Sequence, residues 1–263
     1  DVCSSDLFEI ETDDLQNIIR LIIHEGQYKP YLYKGKAYRR SDTASLEVNQ
    51  AELKQLVLQG SNLYFEELAC GREDLTFQEL SNKLMEKMDI SVVSEDILRT
   101  LGLFTKDRKF NNAAALLADE NDFYGIDIAR FGNSINEIMD RETISGTSVL
   151  KQYNSALAMI RRYYQYEEIS EIERKKVDLI PENAYREAVA NALIHRDWSM
   201  NSHIRISLFP DKIEIKSPGG LPRGITAEEY MRGDISCLRN PVLGNVFFRM
   251  HYIEMFGTGV RRI

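Results

Sequence analysis

The amino-acid sequence predicts an α+β protein, because it combines segments of helical periodicity with two segments that predict β-hairpins. Apolar residues recur at helical spacing over residues 76–88, 146–173 and 181–196, and each segment predicts a helix. Alternating apolar and polar residues at 204–208 and a tyrosine-rich segment at 28–40 are typical of strands. The expected order is a partial α/β segment, a helical middle and a C-terminal α/β domain.

The composition excludes several classes of protein. Hydrophobic residues make up 43% and charged residues 28% of the 263 residues, which excludes disordered and fibrous chains. No apolar run approaches the roughly 20 residues that a membrane span needs. The net charge of −8 argues against a chain that coats nucleic acid non-specifically, but it is compatible with a local basic patch. The three cysteines are too far apart to predict a disulfide or zinc framework, and they indicate a reducing cytoplasm.

Both ends of the sequence look cut. Residues 1–7 (DVCSSDL) resemble a translated sequencing adaptor, so we expect them to carry no biological information. Residues 256–263 (FGTGVRRI) read as a loop that opens a helix. Further residues are therefore expected after Ile263.

The N-terminal segment predicts a basic hairpin between two less regular elements. Four apolar residues within 14–24 share one helical face, although the same residues also fit a strand. Tyrosines flank a turn at Lys34-Gly35-Lys36, which indicates a hairpin over 28–40. This hairpin has no acidic residue and five basic ones, namely Lys29, Lys34, Lys36, Arg39 and Arg40. An amphipathic helix is predicted from Leu46 to Leu58.

The middle of the chain predicts short helices. Thr76 lies three residues before Glu79, which is the spacing of a capping box at the start of the 76–88 helix. A second helix over 94–101 and a charged hairpin around 106–109 follow. Together these elements suggest a winged-helix unit, with a plain helical connector as the alternative.

A chemically distinctive segment begins in the helix predicted over 181–196. Glu187, Asn191 and His195 recur every four residues, so they form one stripe beside the buried face of the helix. A carboxylate one turn before a carboxamide indicates a shared target, and a solvated polar stripe is the alternative. His195-Arg196-Asp197 either places cations at the helix C-terminus or contacts a ligand.

A strand hairpin and a pair of glycines come next. Ile204, Ile206 and Leu208 face inward on the first strand, and a Pro210-Asp211 turn leads to the second strand. The hairpin ends in Gly219-Gly220, which either allow a ligand to approach the backbone closely or form a tight turn.

Four segments in this order resemble one bacterial family. They are EAVANALIHRDW (187–198), IEIKSPGGLPRGIT (213–226), LRNP (238–241) and IEMFGTGVRRI (253–263). The family is the C-terminal domain of ATP-dependent DNA helicases related to RecG, a divergent branch of the GHKL ATPases. The GxxxxGK[ST] phosphate loop of a helicase motor does not occur in the sequence.

The resemblance implies a Bergerat-type ATP–Mg site within residues 146–263. It implies that Asn191 holds Mg²⁺ through its carboxamide oxygen and that Glu187 is the general base for the attacking water. His195 and Asp197 are further nucleotide-binding candidates. The first glycine box is matched by Gly219 and Gly220, and the second by Gly257 and Gly259. Ser217-Pro218 occupies the place where GHKL members usually carry the Asp that reads the adenine amino group.

The basic hairpin is similar to the end of the Schlafen AlbA-type domain, over KPYLYKGKAYRRSDTAS (29–45). This likeness implies a partial AlbA-type domain over 8–58, followed by a connector over 59–145. It also implies DNA binding by the five cations, through phosphate contacts and aromatic stacking. A protected sheet edge is the alternative interpretation.

These resemblances lead to a hypothesis of a cytoplasmic, DNA-binding transcriptional regulator with a GHKL-like ATP–Mg module and no helicase motor. Hydrolysis through Glu187 would make it a weak ATPase. The expected partners are DNA, ATP or a related nucleotide and a second copy of the chain, but no membrane. The first alternative is a non-enzymatic DNA-binding protein whose degenerate GHKL fold serves as a scaffold or dimerisation surface. A Schlafen-type nuclease is the second.

Overall fold

The chain divides into two units, Asp1–Tyr64 and Phe65–Ile263. The structure is a computed structural model that describes residues 8–13, 18–24, 30–61, 63–88, 92–169, 174–221, 228, 232 and 237–253. Helices are combined with several small sheets, so the chain is an α+β protein, as the sequence predicts.

The first unit contains two hairpins and one helix. Strands β1 (Phe8–Asp13) and β2 (Ile18–Ile23) form an antiparallel ribbon, and β3 (Tyr38–Ser41) pairs with β4 (Ala44–Glu47). Helix α1 spans Gln50–Gly60. The strand interpretation of residues 18–23 is therefore correct, and the helical one is wrong.

The predicted Lys34-Gly35-Lys36 turn is present, but the hairpin is shorter than predicted. Tyr33 and Lys36 exchange backbone hydrogen bonds of 2.9 and 3.1 Å around Lys34 and Gly35, which have φ of 51° and 77°. Positive φ at both central residues is the geometry of a type I′ turn. Arg39 and Arg40 belong instead to the next hairpin, β3–β4.

Helix α1 starts later than the predicted Leu46. The Asn49 side chain accepts from the Glu52 amide at 2.9 Å, and the Glu52 carboxylate accepts from the Asn49 amide at 3.1 Å. This reciprocal pair fixes the first turn of the helix at Gln50. Ala44–Glu47 is then available to pair as strand β4.

The second unit begins with a 3₁₀ turn at Phe65–Glu67 and three helices. These helices are α2 (Gln78–Met88), α3 (Glu95–Thr100) and α4 (Asn112–Leu117). The helices predicted at 76–88 and 94–101 are confirmed, but the capping box is not formed. Asp119 accepts from the Gln78 and Glu79 amides at 2.8 and 2.9 Å and caps α2 from a distant part of the chain.

A four-stranded sheet forms the centre of the second unit, in the order β10-β9-β5-β6. Its strands are β5 (Ile126–Phe131), β6 (Ile138–Ile144), β9 (Ile204–Leu208) and β10 (Ile213–Lys216). Strands β5 and β9 are parallel, and the other neighbours are antiparallel. Ile204, Ile206 and Leu208 are fully or almost fully buried, as their alternation predicts.

Three helices share the core with this sheet. They are α5 (Val149–Tyr164), α6 (Glu182–Ile194) and α7 (Pro241–Arg249). Helix α5 ends well before the predicted residue 173, because β7 (Gln165–Ile169) folds back on β8 (Arg174–Asp178). The register places Glu167 opposite Lys176, and such cross-strand charge pairs favour a hairpin.

Candidate functional site

Helix α6 and strand β10 enclose a cavity of about 510 Å³, called here the α6–β10 cavity. Val189 and Leu193 anchor the helix in the core, and the neighbouring helical face, which includes the buried Tyr185, borders the cavity. The walls are mainly apolar, with Ile180, Ala184, Ala188, Ile213 and Ile215 among them. The lining residues with polar side-chain atoms are Tyr185, Asn191, His195 and Ser217.

Asn191 connects this cavity to Glu187, one helical turn earlier. Its Nδ2 donates to Glu187 Oε1 over 3.4 Å. Since the amide nitrogen is committed to Glu187, the carboxamide oxygen is the atom left to act as a ligand. Amide oxygen is a hard donor that suits Mg²⁺.

Glu187 itself lines a second cavity of about 330 Å³, the α6–α7 cavity. This cavity is lined by Asn183, Arg186, Glu187, Phe248, His251, Tyr252 and Ile253. The predicted base and the predicted Mg²⁺ ligand thus contact each other but border different cavities. Sequence reasoning missed Arg186 and His251, because neither belongs to a recognisable motif.

His195 closes the C-terminus of α6 and lines the α6–β10 cavity. Burial, with the nearby positive charge of Arg239, lowers the pKa of His195 to about 4. The imidazole is therefore neutral at physiological pH, so it is not a cation for the helix dipole. Its Nδ1 is buried and has no hydrogen-bond partner among the residues that the structure describes.

Arg196, at the same end of α6, is buried and hydrogen-bonded to the backbone. Its side chain is only 1% exposed and lies 4.1 Å from the centre of the Trp198 ring. The guanidinium donates to four backbone oxygens, those of Tyr124, Gly125, Met200 and Ser202. Burial lowers the pKa of Arg196 to about 10, so it stays charged at neutral pH. This cation ties the end of α6 to the start of β5.

Asp197 contacts the turn at Pro218-Gly219 and is not among the residues that line the α6–β10 cavity. Its amide donates to Pro218 O at 2.9 Å, and its carboxylate accepts from the Ser199 amide at 3.1 Å and lies 3.6 Å from Arg239. Gly219 has a φ of 117°, and a Cβ there would lie 3.0 Å from the Cβ of Asp197. The positive φ and this tight contact within the protein both favour glycine at 219.

The remaining glycine-box residues are placed only in part. The Gly220 carbonyl accepts from Arg239 Nη2 at 2.6 Å, which holds the turn against the end of α6. Gly257 and Gly259 lie outside the described residues.

The predicted DNA-binding cations lie on the surface of the first unit. Lys36 pairs with Glu47 at 2.7 Å and Arg39 with Glu52 at 3.2 Å. Arg40 donates to Ser45 Oγ at 3.2 Å, and Lys34 Nζ lies 5.3 Å from the centre of the Tyr33 ring. Lys29 lies outside the described residues.

The described part of the chain lacks a clustered metal site and a membrane-spanning helix. Within it, no three His, Cys, Asp or Glu side chains cluster in a way that could hold a metal ion. Within the same residues, no helix combines the length and hydrophobicity needed to cross a bilayer.

Comparison with known families supports the RecG-related resemblance over the C-terminal part of the chain. The family described as "Putative ATP-dependent DNA helicase recG C-terminal" matches residues 201–263. Residues 201–263 are similar to this RecG-related family. The match includes β9, β10, Ser217 and the first glycine box, but it begins after Glu187 and Asn191.

A solved structure shares the fold. The DIP2311 protein from Corynebacterium diphtheriae superposes with a TM-score of 0.64 at 19% identity, over 96% of this chain and 53% of that one. This chain therefore spans about half the length of that protein. No curated protein matches the sequence.

Proposed function

We propose that the second unit binds ATP or a related nucleotide with Mg²⁺, in a DNA-binding transcriptional regulator that has no helicase motor. The observation that carries the nucleotide proposal is the α6–β10 cavity. Its volume of about 510 Å³ lies within the range of small-molecule sites, and its mainly apolar walls with a few polar groups are typical of them. The RecG-related match over 201–263 includes β10 and Ser217.

The base would occupy the apolar part of the cavity, and the phosphates would extend past Asn191. The contact between Asn191 and Glu187 connects the two cavities, and Arg186 supplies a cation in the α6–α7 cavity. Arginine is well suited to phosphate oxygens. The phosphate chain is thus assigned to the α6–α7 side of the helix.

The residues present fit a Mg²⁺ ion that is bound mainly by the nucleotide. Mg²⁺ usually takes one or two protein oxygens and completes its shell with phosphates and water. Asn191 offers one such oxygen, and the Glu187 carboxylate lies beside it. When bound, Mg²⁺ would neutralise charge on the phosphates. Glu187 would accept the proton of the attacking water.

Substitution of the two polar residues tests this assignment. Asn191→Ala should abolish Mg²⁺-dependent nucleotide binding, because it removes the proposed ligand oxygen. Glu187→Ala should retain binding and lose hydrolysis, because a general base acts in the transition state. Calorimetry with Mg-ADP and a phosphate-release assay measure the two effects, with exposed Asn136→Ala as the control. Unchanged Mg-ADP affinity in Asn191→Ala would refute the role of Asn191.

A non-enzymatic scaffold is the second candidate function. It is favoured by the separation of Glu187 from the α6–β10 cavity and by the use of Gly219 in a contact with Asp197. A folded protein that binds neither ADP nor ATP would select this candidate.

The DNA-binding part of the proposal depends on the first unit. Lys34, Lys36, Arg39 and Arg40 are exposed there, and Tyr31, Tyr33 and Tyr38 are about half exposed or more. Surface ion pairs are weak, so phosphates can replace Glu47 and Glu52 as partners of Lys36 and Arg39.

A further inference from the structure

We infer that a cationic turn in the second unit, residues 105–109, binds the phosphate backbone of duplex DNA without regard to sequence. This turn, called here the wing turn, carries Lys106, Arg108 and Lys109. The inference rests on the proposed DNA binding and deepens it. It adds a contact within Phe65–Ile263, whereas the proposed function depends on cations of Asp1–Tyr64.

Backbone pairing places the wing turn at the end of three short antiparallel segments. Phe104 pairs with Phe110 across the turn, and Asn111 pairs with Ala69. Between residues 69 and 104 the chain forms α2 and α3. A strand, two helices and a hairpin whose second strand returns to the first is the connectivity of a winged-helix module. In that connectivity residues 105–109 are the wing.

The wing turn lies beside α3. The Arg99 guanidinium of α3 lies 5.6 Å from the centre of the Phe104 ring, and this ring stacks on Phe110 with 4.6 Å between the centres. In helix-turn-helix proteins the second helix approaches the major groove, so an element beside it faces the phosphates that border the groove. Helix α3 itself begins with Glu95 and Asp96, which do not suit a DNA surface. The DNA contact is therefore assigned to the turn.

The cations of the wing turn are available to an anion. Lys106, Arg108 and Lys109 are all exposed. Among the residues that the structure describes, none of the three has an acidic side chain within ion-pair distance. Asp107 is the one acidic residue of the turn and offsets one of the three charges. A phosphate would replace only water here, whereas at Lys36 it would have to displace Glu47.

The backbone of Arg108 indicates that its charge is used. The Arg108 amide donates to Thr105 O at 3.0 Å, and the Thr105 amide donates to Lys109 O at 2.8 Å. Arg108 closes this three-residue loop with a φ of 61°, a conformation that glycine adopts most easily. A long side chain at positive φ is uncommon and costs conformational free energy. A contact between its guanidinium and DNA explains an arginine at this place.

The salt dependence of DNA binding tests the wing turn. Fluorescence anisotropy on the full chain, with two duplexes of unrelated sequence, gives the slope of log affinity against log salt. Neutralising the turn by Lys106→Gln, Arg108→Asn and Lys109→Gln should reduce the slope by up to about 2.7 for both duplexes, because each phosphate contact contributes about 0.9. Asparagine tolerates the positive φ of residue 108. Arg108→Gly also fits this backbone and should reduce the slope by about 0.9 if the triple variant does not fold.

Two variants serve as controls. The exchange of Lys106→Arg, Arg108→Lys and Lys109→Arg keeps every charge and should keep the slope. Lys175→Gln with Lys176→Gln removes charge from β8 and should also leave it unchanged.

The possible results separate this inference from the proposed function. An unchanged slope in the folded triple variant, or in Arg108→Gly if the triple variant does not fold, would overturn the role of the wing turn and leave DNA binding by the first unit standing. A loss of affinity at unchanged slope would overturn it equally, because released counterions are the signature of phosphate contacts. Absence of DNA binding by the wild type would overturn both.

Discussion

At the scale of single residues, the buried cation Arg196 shows how the site is held in place. Its guanidinium joins backbone oxygens from two segments that are far apart in the sequence, around Tyr124 and around Met200. An apolar side chain of similar length would remove the guanidinium donor of the Tyr124 and Ser202 oxygens, whereas the Gly125 and Met200 oxygens would still accept from the amides of Ile204 and Ser202. Each such loss costs about 1 to 3 kcal/mol.

Arg196→Met should therefore lower the free energy of unfolding by about 3 kcal/mol or more. Urea denaturation followed by circular dichroism measures the change. Arg162→Met is the matched control, because Arg162 is 62% exposed and its pair with Asp140 lies at the surface. Such a pair contributes at most about 1 kcal/mol. Equal losses in the two variants would contradict a structural role for Arg196.

A second buried charge, Glu66, connects the 3₁₀ turn to α7. It is 0% exposed, and its carboxylate accepts from the Val242 and Leu243 amides at 2.5 and 3.0 Å. Burial raises the pKa of Glu66 to about 7 in spite of these two bonds. The folded protein thus binds this proton more tightly than the unfolded chain does.

The contribution of Glu66 to stability should be complete below its ordinary pKa of 4.5 and lost as the pH rises through about 7. The difference between the two values corresponds to about 3 kcal/mol. Glu66→Gln keeps the shape and removes the titration. Urea denaturation at pH 5 and pH 8 should give the wild type a fall larger than that of Glu66→Gln by about this amount. Parallel pH dependence in both proteins would show that Glu66 does not titrate in this range.

At the scale of elements, the sequence predicts α6 and the β9–β10 hairpin well, because apolar residues recur at regular helical spacing in α6 and at every second position in the strands. Pro181 marks the start of α6, and the strands alternate around Pro210-Asp211. The end of α5 and the start of α1 could not be placed, because they depend on partners. The pairing of β7 with β8 ends α5, and the Asn49–Glu52 pair delays α1.

The same reason explains which site residues could be predicted. Glu187, Asn191 and His195 follow from helical spacing, and Asn191 and His195 do line one cavity. The use of Asp197 and Gly219 within the protein depends on a contact between segments that spacing does not encode. Arg186 and His251 line one cavity because α6 and the residues after α7 border it.

The β3–β4 hairpin is the element on which the DNA proposal depends. Replacing Arg39 and Arg40 by Ala should reduce the slope of log affinity against log salt by up to about two, because each phosphate contact contributes about 0.9. Fluorescence anisotropy with duplex DNA measures the slope. Lys175→Ala with Lys176→Ala removes the same charge from β8 and should leave it unchanged. If Arg39 and Arg40 do not affect binding, the hairpin is a protected sheet edge, and residues 74–110 become the candidate.

At the scale of the whole molecule, the two units have different proposed roles. The four-stranded sheet, its helices and both cavities belong to Phe65–Ile263, whereas the predicted DNA-binding cations belong to Asp1–Tyr64. The RecG-related match covers residues 201–263 of the second unit. The similarity to the DIP2311 structure covers 96% of the chain. A nucleotide in the α6–β10 cavity is the central claim that joins these observations.

Filling the cavity tests that claim most directly. Ala188 is half-buried on α6 and lines the cavity, so Ala188→Phe should occupy the space of the base without changing any charge. Calorimetry with Mg-ADP should detect one site on the wild-type chain and none on a folded Ala188→Phe variant. Absence of binding to the wild type, or equal affinity in the two proteins, would contradict a nucleotide site between α6 and β10.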